Sequence, residues 1–308
     1  MVKPAQFSTL LEFLTNFKDE EKCRQYFEQI RFKDGDYCPH CAHGKINRFA
    51  DGKRYRCAKC RKDFTIKTGT VFGESKISLQ KWFIAIYLLT TSPKGISSVQ
   101  LAKQLGVTQK TAWFMDHRIR KAMKNGGKLF GNVEVDETYI GGKEKNKHAS
   151  KRTKGVQGRS LKTKNAVMGM VVRNGNVIAS VIPNAKMRTL ESKIVAHIDI
   201  GSTLYTDELM SYSKIGSLYK HEAVNHSSGE YVRGDAHTNN VESFWALFKR
   251  GYHGTYHTMS GKHLQRYVDE FAFRWNERNT PMDSIFANTV ESVAETKTLH
   301  YKKLTATV

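Results

Sequence analysis

The spacing of apolar residues along the chain changes from a helical period to a strand period near residue 130. Before that point, intervals of three and four residues separate most of the apolar positions Phe7, Leu10, Leu11, Leu14 and Phe17, which predicts an N-terminal helix. Further helices are predicted over residues 19–30, 78–91, 97–105 and 108–123. The pattern thus indicates a helical segment over 1–30 and a second helical module over 76–126.

The last two of these predicted helices are joined by Gly106-Val107, and Thr108 can cap the second one. A short helix, a glycine turn and a capped second helix are typical of a helix-turn-helix. The residues expected to face a DNA groove are Gln109, Lys110, Thr111 and His117. The alternative is that the same residues only pack the helices together.

Beyond residue 130 the pattern predicts a mixed α/β domain over 130–280. The predicted elements are strands over 133–140, 165–172, 176–182 and 203–207, a helix over 190–198, and later helices over 237–250 and 261–278. An Asn-Gly turn joins the second strand to the third. This order predicts three antiparallel strands and a crossover that places the fourth beside the first. A C-terminal tail is predicted over 281–308, and from Asn288 onward its period is weaker, so this part is expected to pack loosely or fray.

The first predicted strand carries acidic residues among apolar ones. Val133 and Val135 are expected to face one side of the sheet, and Glu134 and Asp136 the other. A carboxylate on an apolar strand is costly unless a basic partner or a cation offsets its charge. A half-exposed strand with a solvated acid is the alternative.

Composition indicates a polyanionic partner. The formal net charge is +21, from 50 Lys and Arg against 29 Asp and Glu, and this favours nucleic acid over an anionic membrane surface. No apolar run approaches the roughly 20 residues of a membrane helix, and no signal-peptide core is present, so we expect a cytoplasmic protein without a membrane partner.

The most basic stretch, 143–164, is predicted to be a loop. It contributes the candidate DNA contacts Lys145, Lys147, Lys151 and Arg152, unless it is only a solvated linker.

Four of the five cysteines form two Cys-x-x-Cys pairs, Cys38/Cys41 and Cys57/Cys60, with fifteen residues between the pairs. Two such turns can hold one tetrahedral zinc ion, so we predict a zinc ribbon over 31–72 with one structural Zn²⁺. A pair of redox dithiols is the alternative, but it lacks the expected βαβ context. The fifth cysteine, Cys23, is expected to be a buried apolar residue.

Three distant acidic residues are candidates for a second metal site: Asp136, Asp207 and Glu242. Three carboxylates in one place repel one another and need cations. Their hard oxygen ligands suit two Mg²⁺ or Mn²⁺ ions, which can support in-line phosphoryl displacement. The alternatives are that Asp207 caps a turn and that Glu242 and Lys249, seven positions apart, form a surface ion pair.

The succession of the paired cysteines, VDETYIGGK, YTDE and HTNNVESFW followed by a lysine resembles the ISXO-two-like group of insertion-sequence transposases. The resemblance extends over residues 7–279. It implies a DDE-type enzyme with a zinc ribbon and a ribonuclease H-like core. Such an enzyme cleaves element ends with divalent metals, and the freed 3′-hydroxyl attacks target DNA without a covalent protein intermediate.

Carried over by position, Asp136 and Asp207 match the two aspartates of the group, and Glu242 matches its third acid. Lys249 matches the basic residue that contacts DNA near the reacting phosphate. Some branches carry Asn or His as the third ligand, so Asn239 is a second candidate. Glu242 is favoured because it supplies charge as well as oxygen.

The sequence thus predicts a nucleoid-associated, prokaryotic transposase that uses Mg²⁺ or Mn²⁺ and Zn²⁺ but no small-molecule cofactor. It is expected to bind element ends and target DNA as a dimer or higher oligomer. Two alternatives remain: a non-catalytic DNA-binding regulator derived from such an enzyme, and a structure-specific nuclease on the same core.

Overall fold

Two units make up the structure, a computed structural model that describes residues 5–123, 126–142, 144–155, 158, 160–207, 218–224 and 237–306. Unit 1 contains Met1–Met123 and Asn279–Val308, and unit 2 contains Lys124–Arg278. None of the helices in the described residues is long and apolar enough to cross a membrane.

Unit 1 is largely helical, and its helices begin at side-chain caps that the sequence encodes. Thr9 and Glu12 form a reciprocal capping box at the first helix, and Asp19 caps the second. The helices are α1 (Leu10–Asn16), α2 (Glu20–Arg31), α3 (Leu79–Thr91), α4 (Ser98–Leu105) and α5 (Gln109–Ala122). Cys23 on α2 is fully buried, as predicted for an apolar role.

The C-terminal residues also belong to the core of unit 1. The ring of Phe286 lies with its centroid 5.2 Å from that of Phe13 and 5.4 Å from that of Phe83. Phe286 lies on the helix Met282–Glu295, on which Val290 and Val293 are also fully buried. The prediction of a loosely packed tail was therefore wrong. The aromatic side chain of Phe286 and the two valines follow one another at helical spacing and bury that helix.

The zinc-ribbon hairpins are three short antiparallel strands, β1 (Ile46–Arg48), β2 (Arg54–Cys57) and β3 (Asp63–Thr65). The buried guanidinium of Arg31 at the end of α2 donates hydrogen bonds to the carbonyl oxygens of Ile66 and Thr68. This charged group satisfies backbone acceptors and fixes the ribbon to the helix that precedes it.

The predicted turn between α4 and α5 is present. Gly106 ends α4 in the left-handed conformation at φ 60°, which glycine adopts without steric cost, and Thr108 caps α5. Ala102, Leu105 and Ala112 are buried around this turn, as a helix-turn-helix requires.

Unit 2 is built on a mixed five-stranded sheet. Its strands are β4 (Asn132–Ile140), β5 (Asn165–Val172), β6 (Val177–Ile182), β7 (Thr203–Asp207) and β8 (Lys220–Val224), in the order β6-β5-β4-β7-β8. β5 is antiparallel to both β4 and β6, whereas β7 is parallel to both β4 and β8. The predicted antiparallel start, the crossover and the ribonuclease H-like α/β core are confirmed. β8 was not among the predicted strands, because Lys220, His221 and Glu222 interrupt its apolar pattern.

Helices cover both faces of this sheet: α6 (Met187–His197), α7 (Asn239–Gly251) and α8 (Gly261–Asn276). Val133 and Val135 pack in one cluster with Leu190 and Ile194 of α6. On the opposite face, β5 residues pack with α7 and α8 in a second cluster that includes Val167, Val171, Val241, Phe244 and Leu264. Glu134 and Asp136 lie on the α7 face, because they pair directly with Val171 and Gly169.

Gly169 allows α7 to approach the sheet directly opposite Asp136. A Cβ atom at this position would lie 2.7 Å from Cζ2 of Trp245. We expect Gly169→Ala to displace α7 and to lower the unfolding free energy of unit 2 by about 1–3 kcal/mol, as overpacking does. Thermal unfolding measures the change. Gly254→Ala is the control, because a Cβ there meets nothing within 4 Å. Equal stability of the two variants would contradict the close helix–sheet approach.

Candidate active site

The two aspartate positions lie side by side on neighbouring parallel strands, Asp136 in the middle of β4 and Asp207 at the carboxyl end of β7. Val135 of β4 pairs with Thr206 of β7, so the next residues, Asp136 and Asp207, occupy adjacent positions in the same register. Asp136 is half-buried on the α7 face. The side chain of Asp207 lies outside the described residues, so the backbone register alone locates it.

The third acidic candidate lies on the first turn of α7. Glu242 is exposed, and Oγ1 of Thr238 donates a hydrogen bond to its Oε1 at 3.2 Å. Asn239 and Lys249 are also exposed, and their spacings of three and seven residues from Glu242 put all three on one helix face. Among the ion pairs of the described residues, none joins Glu242 to Lys249, which disfavours the alternative of a surface pair.

The start of α7 is held by Glu134, a residue for which no sequence pattern predicts a role. The carboxylate of Glu134 on β4 accepts hydrogen bonds from the backbone N–H groups of Asn240 at 2.7 Å and Val241 at 3.1 Å. The strand that carries Asp136 thereby holds the helix that carries Glu242. The sequence could not reveal this contact, because the two segments are 106 residues apart.

The four predicted zinc ligands come together in unit 1. The sulfur atoms of Cys38, Cys41, Cys57 and Cys60 all lie within 4.8 Å of one another. Within the described residues, these four cysteines form the cluster of side chains that could hold a metal ion. The Sγ–Sγ distances of 3.7 Å (Cys38–Cys60) and 3.6 Å (Cys41–Cys57) match the spacing of about 3.8 Å that a tetrahedral Zn–S geometry requires. His40 and His43 are not members of the group.

The environment of Cys57 favours the thiolate that zinc requires. Desolvation raises its pKa, but the backbone N–H groups of Cys60 and Lys59 and the thiols of Cys41 and Cys60 donate hydrogen bonds to the sulfur, and the pKa is lowered to about 6. A backbone hydrogen bond from Lys62 lowers the pKa of Cys60, but desolvation and its contacts with the other three cysteines raise this pKa to about 11, so Cys57 is the first of this pair to ionise. The N–H of Cys60 lies 3.4 Å from this sulfur, and the N–H of His40 makes the equivalent contact with Cys38. The cluster therefore fits one structural zinc ion in both geometry and donor chemistry.

On α5, the predicted groove-facing residues differ in exposure. Gln109 and Lys110 are exposed and Thr111 is half-buried at the start of the helix. The ammonium group of Lys110 lies 4.9 Å from the ring centroid of Tyr301. His117 is fully buried with its ring 4.5 Å from that of Trp113, so its predicted place on the groove surface was wrong. Two turns into α5, its position faces the core of unit 1.

The four basic candidates after β4 lie on an exposed segment with two 3₁₀ turns, Glu144–Asn146 and Ala149–Lys151. Lys147 pairs with Glu144, and the guanidinium of Arg152 donates hydrogen bonds to the carbonyl oxygens of Lys145 and Lys147. These contacts shape the segment. Within the described residues, the ammonium groups of Lys145 and Lys151 make no ion pair.

Two family models match the chain. The model of an ISXO2-like transposase domain matches residues 128–276, and that of a transposase zinc-ribbon domain matches residues 18–63. An uncharacterized protein in the transposable element ISH50 of Halobacterium salinarum is 32% identical over an alignment of 252 positions, which covers 77% of this chain and 84% of that protein.

Two solved structures give weak similarity. The Mos1 strand transfer complex has 14% identity and a TM-score of 0.28, and it covers 69% of this chain and 75% of the other. A simian T-cell lymphotropic virus intasome with PP2A regulatory subunit B56 gamma has 12% identity and a TM-score of 0.23, with coverages of 70% and 68%. Scores this low carry no structural argument.

Proposed function

Because the chain belongs to the ISXO2-like insertion-sequence transposases, with a DDE-type domain and a transposase zinc ribbon, we propose that it cleaves the ends of its element and joins them to target DNA. The carboxylates of Asp136, Asp207 and Glu242 carry this chemistry. The observation that supports them most is the parallel β4–β7 register, because the two aspartates follow directly after the paired residues Val135 and Thr206.

The donor set of this site fits divalent metals. Carboxylate oxygens on two adjacent strands and a helix turn are the hard ligands that Mg²⁺ and Mn²⁺ prefer. Two such ions, when bound, supply activation of the attacking oxygen and stabilisation of the leaving oxygen. Asp136 and Asp207 would hold them from the strands. Glu242 would complete the set with its charge, and Asn239, one turn earlier on the same face, is the neutral alternative.

The other residues of this helix face and of the basic segment bind and orient DNA. Lys249 is exposed on the same face as Glu242, where its ammonium group can contact a phosphate beside the scissile bond. Double-stranded element ends are bound by the zinc ribbon and by the exposed start of α5, with Gln109, Lys110 and Thr111. Pairing of two ends makes a dimer or a higher oligomer the expected working form on DNA.

The lysines without ion pairs in the basic segment are expected to contribute to the salt dependence of DNA binding. Lys145→Gln with Lys151→Gln removes two charges, which should reduce the slope of log K against log salt concentration by about 1.8. Titrations over a range of salt concentrations give this slope. Lys128→Gln with Lys220→Gln is the matched control, because these lysines pair with Asp199 and Glu222. If the slope of the first double variant is unchanged, the basic segment does not contact DNA.

The function itself is tested with labelled element-end DNA, a target plasmid and Mg²⁺. A transposase releases a 3′-hydroxyl at the end and joins it to the plasmid. Hydrolysis without joining would instead identify a structure-specific nuclease. Sequence-specific binding without any Mg²⁺-dependent nicking would identify a regulator. Inverted repeats bracketing the gene, with short direct duplications outside them, provide the end sequence for the assay.

A further inference from the structure

Glu134 is a fully buried carboxylate that takes no part in the proposed chemistry. It lies on β4 two residues before Asp136, and residues at this spacing on a strand point to the same face of the sheet. Burying a carboxylate is costly unless hydrogen bonds and a charge partner compensate it. The contacts of Glu134 therefore indicate why this position carries a charge.

Glu134 replaces the local cap at the start of α7. Thr238, which precedes the helix, makes no side-chain hydrogen bond to its free N–H groups. Glu134 accepts from two of them, the N–H groups of Asn240 and Val241, and also from Nδ2 of Asn240 at 2.8 Å. A negative charge at a helix N-terminus is further stabilised by the helix dipole. A strand residue thus holds the end of the helix.

Arg173 connects Glu134 to a third element, the strand β7. Its Nε donates to Oε1 of Glu134 at 3.1 Å, and its Nη2 donates to the carbonyl oxygen of His237 at 3.2 Å. Its guanidinium carbon also lies 3.8 Å from the ring centroid of Tyr205 on β7. The imidazole Nδ1 of His237 is a further 3.1 Å neighbour of Glu134. One network around the buried carboxylate of Glu134 therefore joins β4, β7 and the start of α7.

Three members of this network lie two residues before a proposed metal ligand, and Val241 lies one residue before Glu242. Glu134 precedes Asp136, Tyr205 precedes Asp207, and Asn240 precedes Glu242. The network is thus the layer next to the proposed site on all three elements. Any change in the Glu134 contacts would move the start of α7, and Glu242 with it, relative to the two strands.

We infer that Glu134 is a positioning residue, which fixes the start of α7 against β4 so that Glu242 can share metal ions with Asp136. The inference rests on the proposed function. It differs from a purely structural role in one measurable respect. A residue that only stabilises the fold changes the unfolding temperature, whereas a positioning residue also changes the metal affinity of the folded protein.

The test measures Mn²⁺ binding by the zinc-loaded full-length protein, from the electron paramagnetic resonance signal of free Mn²⁺, together with thermal unfolding. Glu134→Gln keeps one acceptor oxygen but removes the charge that Arg173 and the helix terminus face. We expect Mn²⁺ binding at least about tenfold weaker, at a temperature where the variant is folded.

Glu270→Gln is the matched control in the same unit. Glu270 is also fully buried, pairs with Arg274 and accepts a hydrogen bond from the hydroxyl of Tyr256, but it lies on α8. This variant should lower the unfolding temperature and leave Mn²⁺ affinity unchanged. If both glutamine variants change only the unfolding temperature, Glu134 is a structural residue and the inference is overturned.

Asp136→Asn separates this failure from failure of the proposed function. If binding depends on Asp136 but Glu134→Gln binds like the wild type, only the positioning role is wrong. If Mn²⁺ binding by the wild type does not depend on Asp136, both the positioning role of Glu134 and the proposed metal site are wrong. Should Glu134→Gln fail to fold, Asn240→Ala replaces it, because it removes one donor and keeps both backbone contacts. Its expected loss of affinity is about fivefold, and unchanged affinity would overturn the inference.

Discussion

Asp136→Asn is expected to lower the rate of element-end cleavage by about a thousandfold or more, with end binding within about twofold of the wild type. The substitution keeps the size of the side chain but removes the charge that would hold a metal ion. Asp136 lies on the sheet of unit 2, whereas the proposed end-binding residues of the ribbon and of α5 lie in unit 1. Cleavage of labelled end DNA and a gel-shift titration measure the two quantities separately.

Asp199→Asn is the control for this experiment. Asp199 is a half-exposed acid of the same unit, paired with Lys128 at 3.4 Å, and no feature of the sequence assigns it to the site. Cleavage by this variant should remain close to that of the wild type. If Asp136→Asn lost end binding as strongly as cleavage, Asp136 would be a structural residue.

The second large effect is expected on removal of zinc. The hairpins β1–β3 bury too little apolar surface to fold alone, and a structural zinc site contributes on the order of 10 kcal/mol to the folding of such a domain. Cys57→Ser should therefore remove the bound metal, unfold the ribbon and weaken end binding at least about a hundredfold. Metal content and end affinity are measured on the same preparation.

Cys23→Ala serves as the matched variant, because this buried cysteine of the same unit is not part of the four-sulfur cluster. It should retain one zinc ion per chain and near-normal end binding. Full end binding by metal-free Cys57→Ser protein would show that the ribbon does not contribute to DNA recognition.

The sequence predicted those parts of the fold whose signals are local. The Asn-Gly turn, the alternation along 133–140 and the Cys-x-x-Cys pairs each specify structure within a few residues. The order of the elements was sufficient to place β7 beside β4, because crossover connections follow few routes. The pairing of Asp136 with Asp207 in register follows from that placement.

The features that were missed depend on distant contacts. The burial of His117 results from packing within unit 1, and the helix with Phe286 is stabilised by aromatic residues that lie some 200 or more positions earlier. Glu134 was predicted only to share a face with Asp136. Its role depends on Asn240 and Arg173, with which no local pattern connects it.

The central claim is that Asp136, Asp207 and Glu242 bind common metal ions. Anomalous scattering from Mn²⁺ in crystals of the protein with end DNA tests it directly. The account predicts manganese peaks within about 2.2 Å of carboxylate oxygens of both aspartates, with Glu242 or Asn239 completing the coordination. The absence of a manganese ion next to Asp136, or manganese ions coordinated by only one of the three acids, would contradict it.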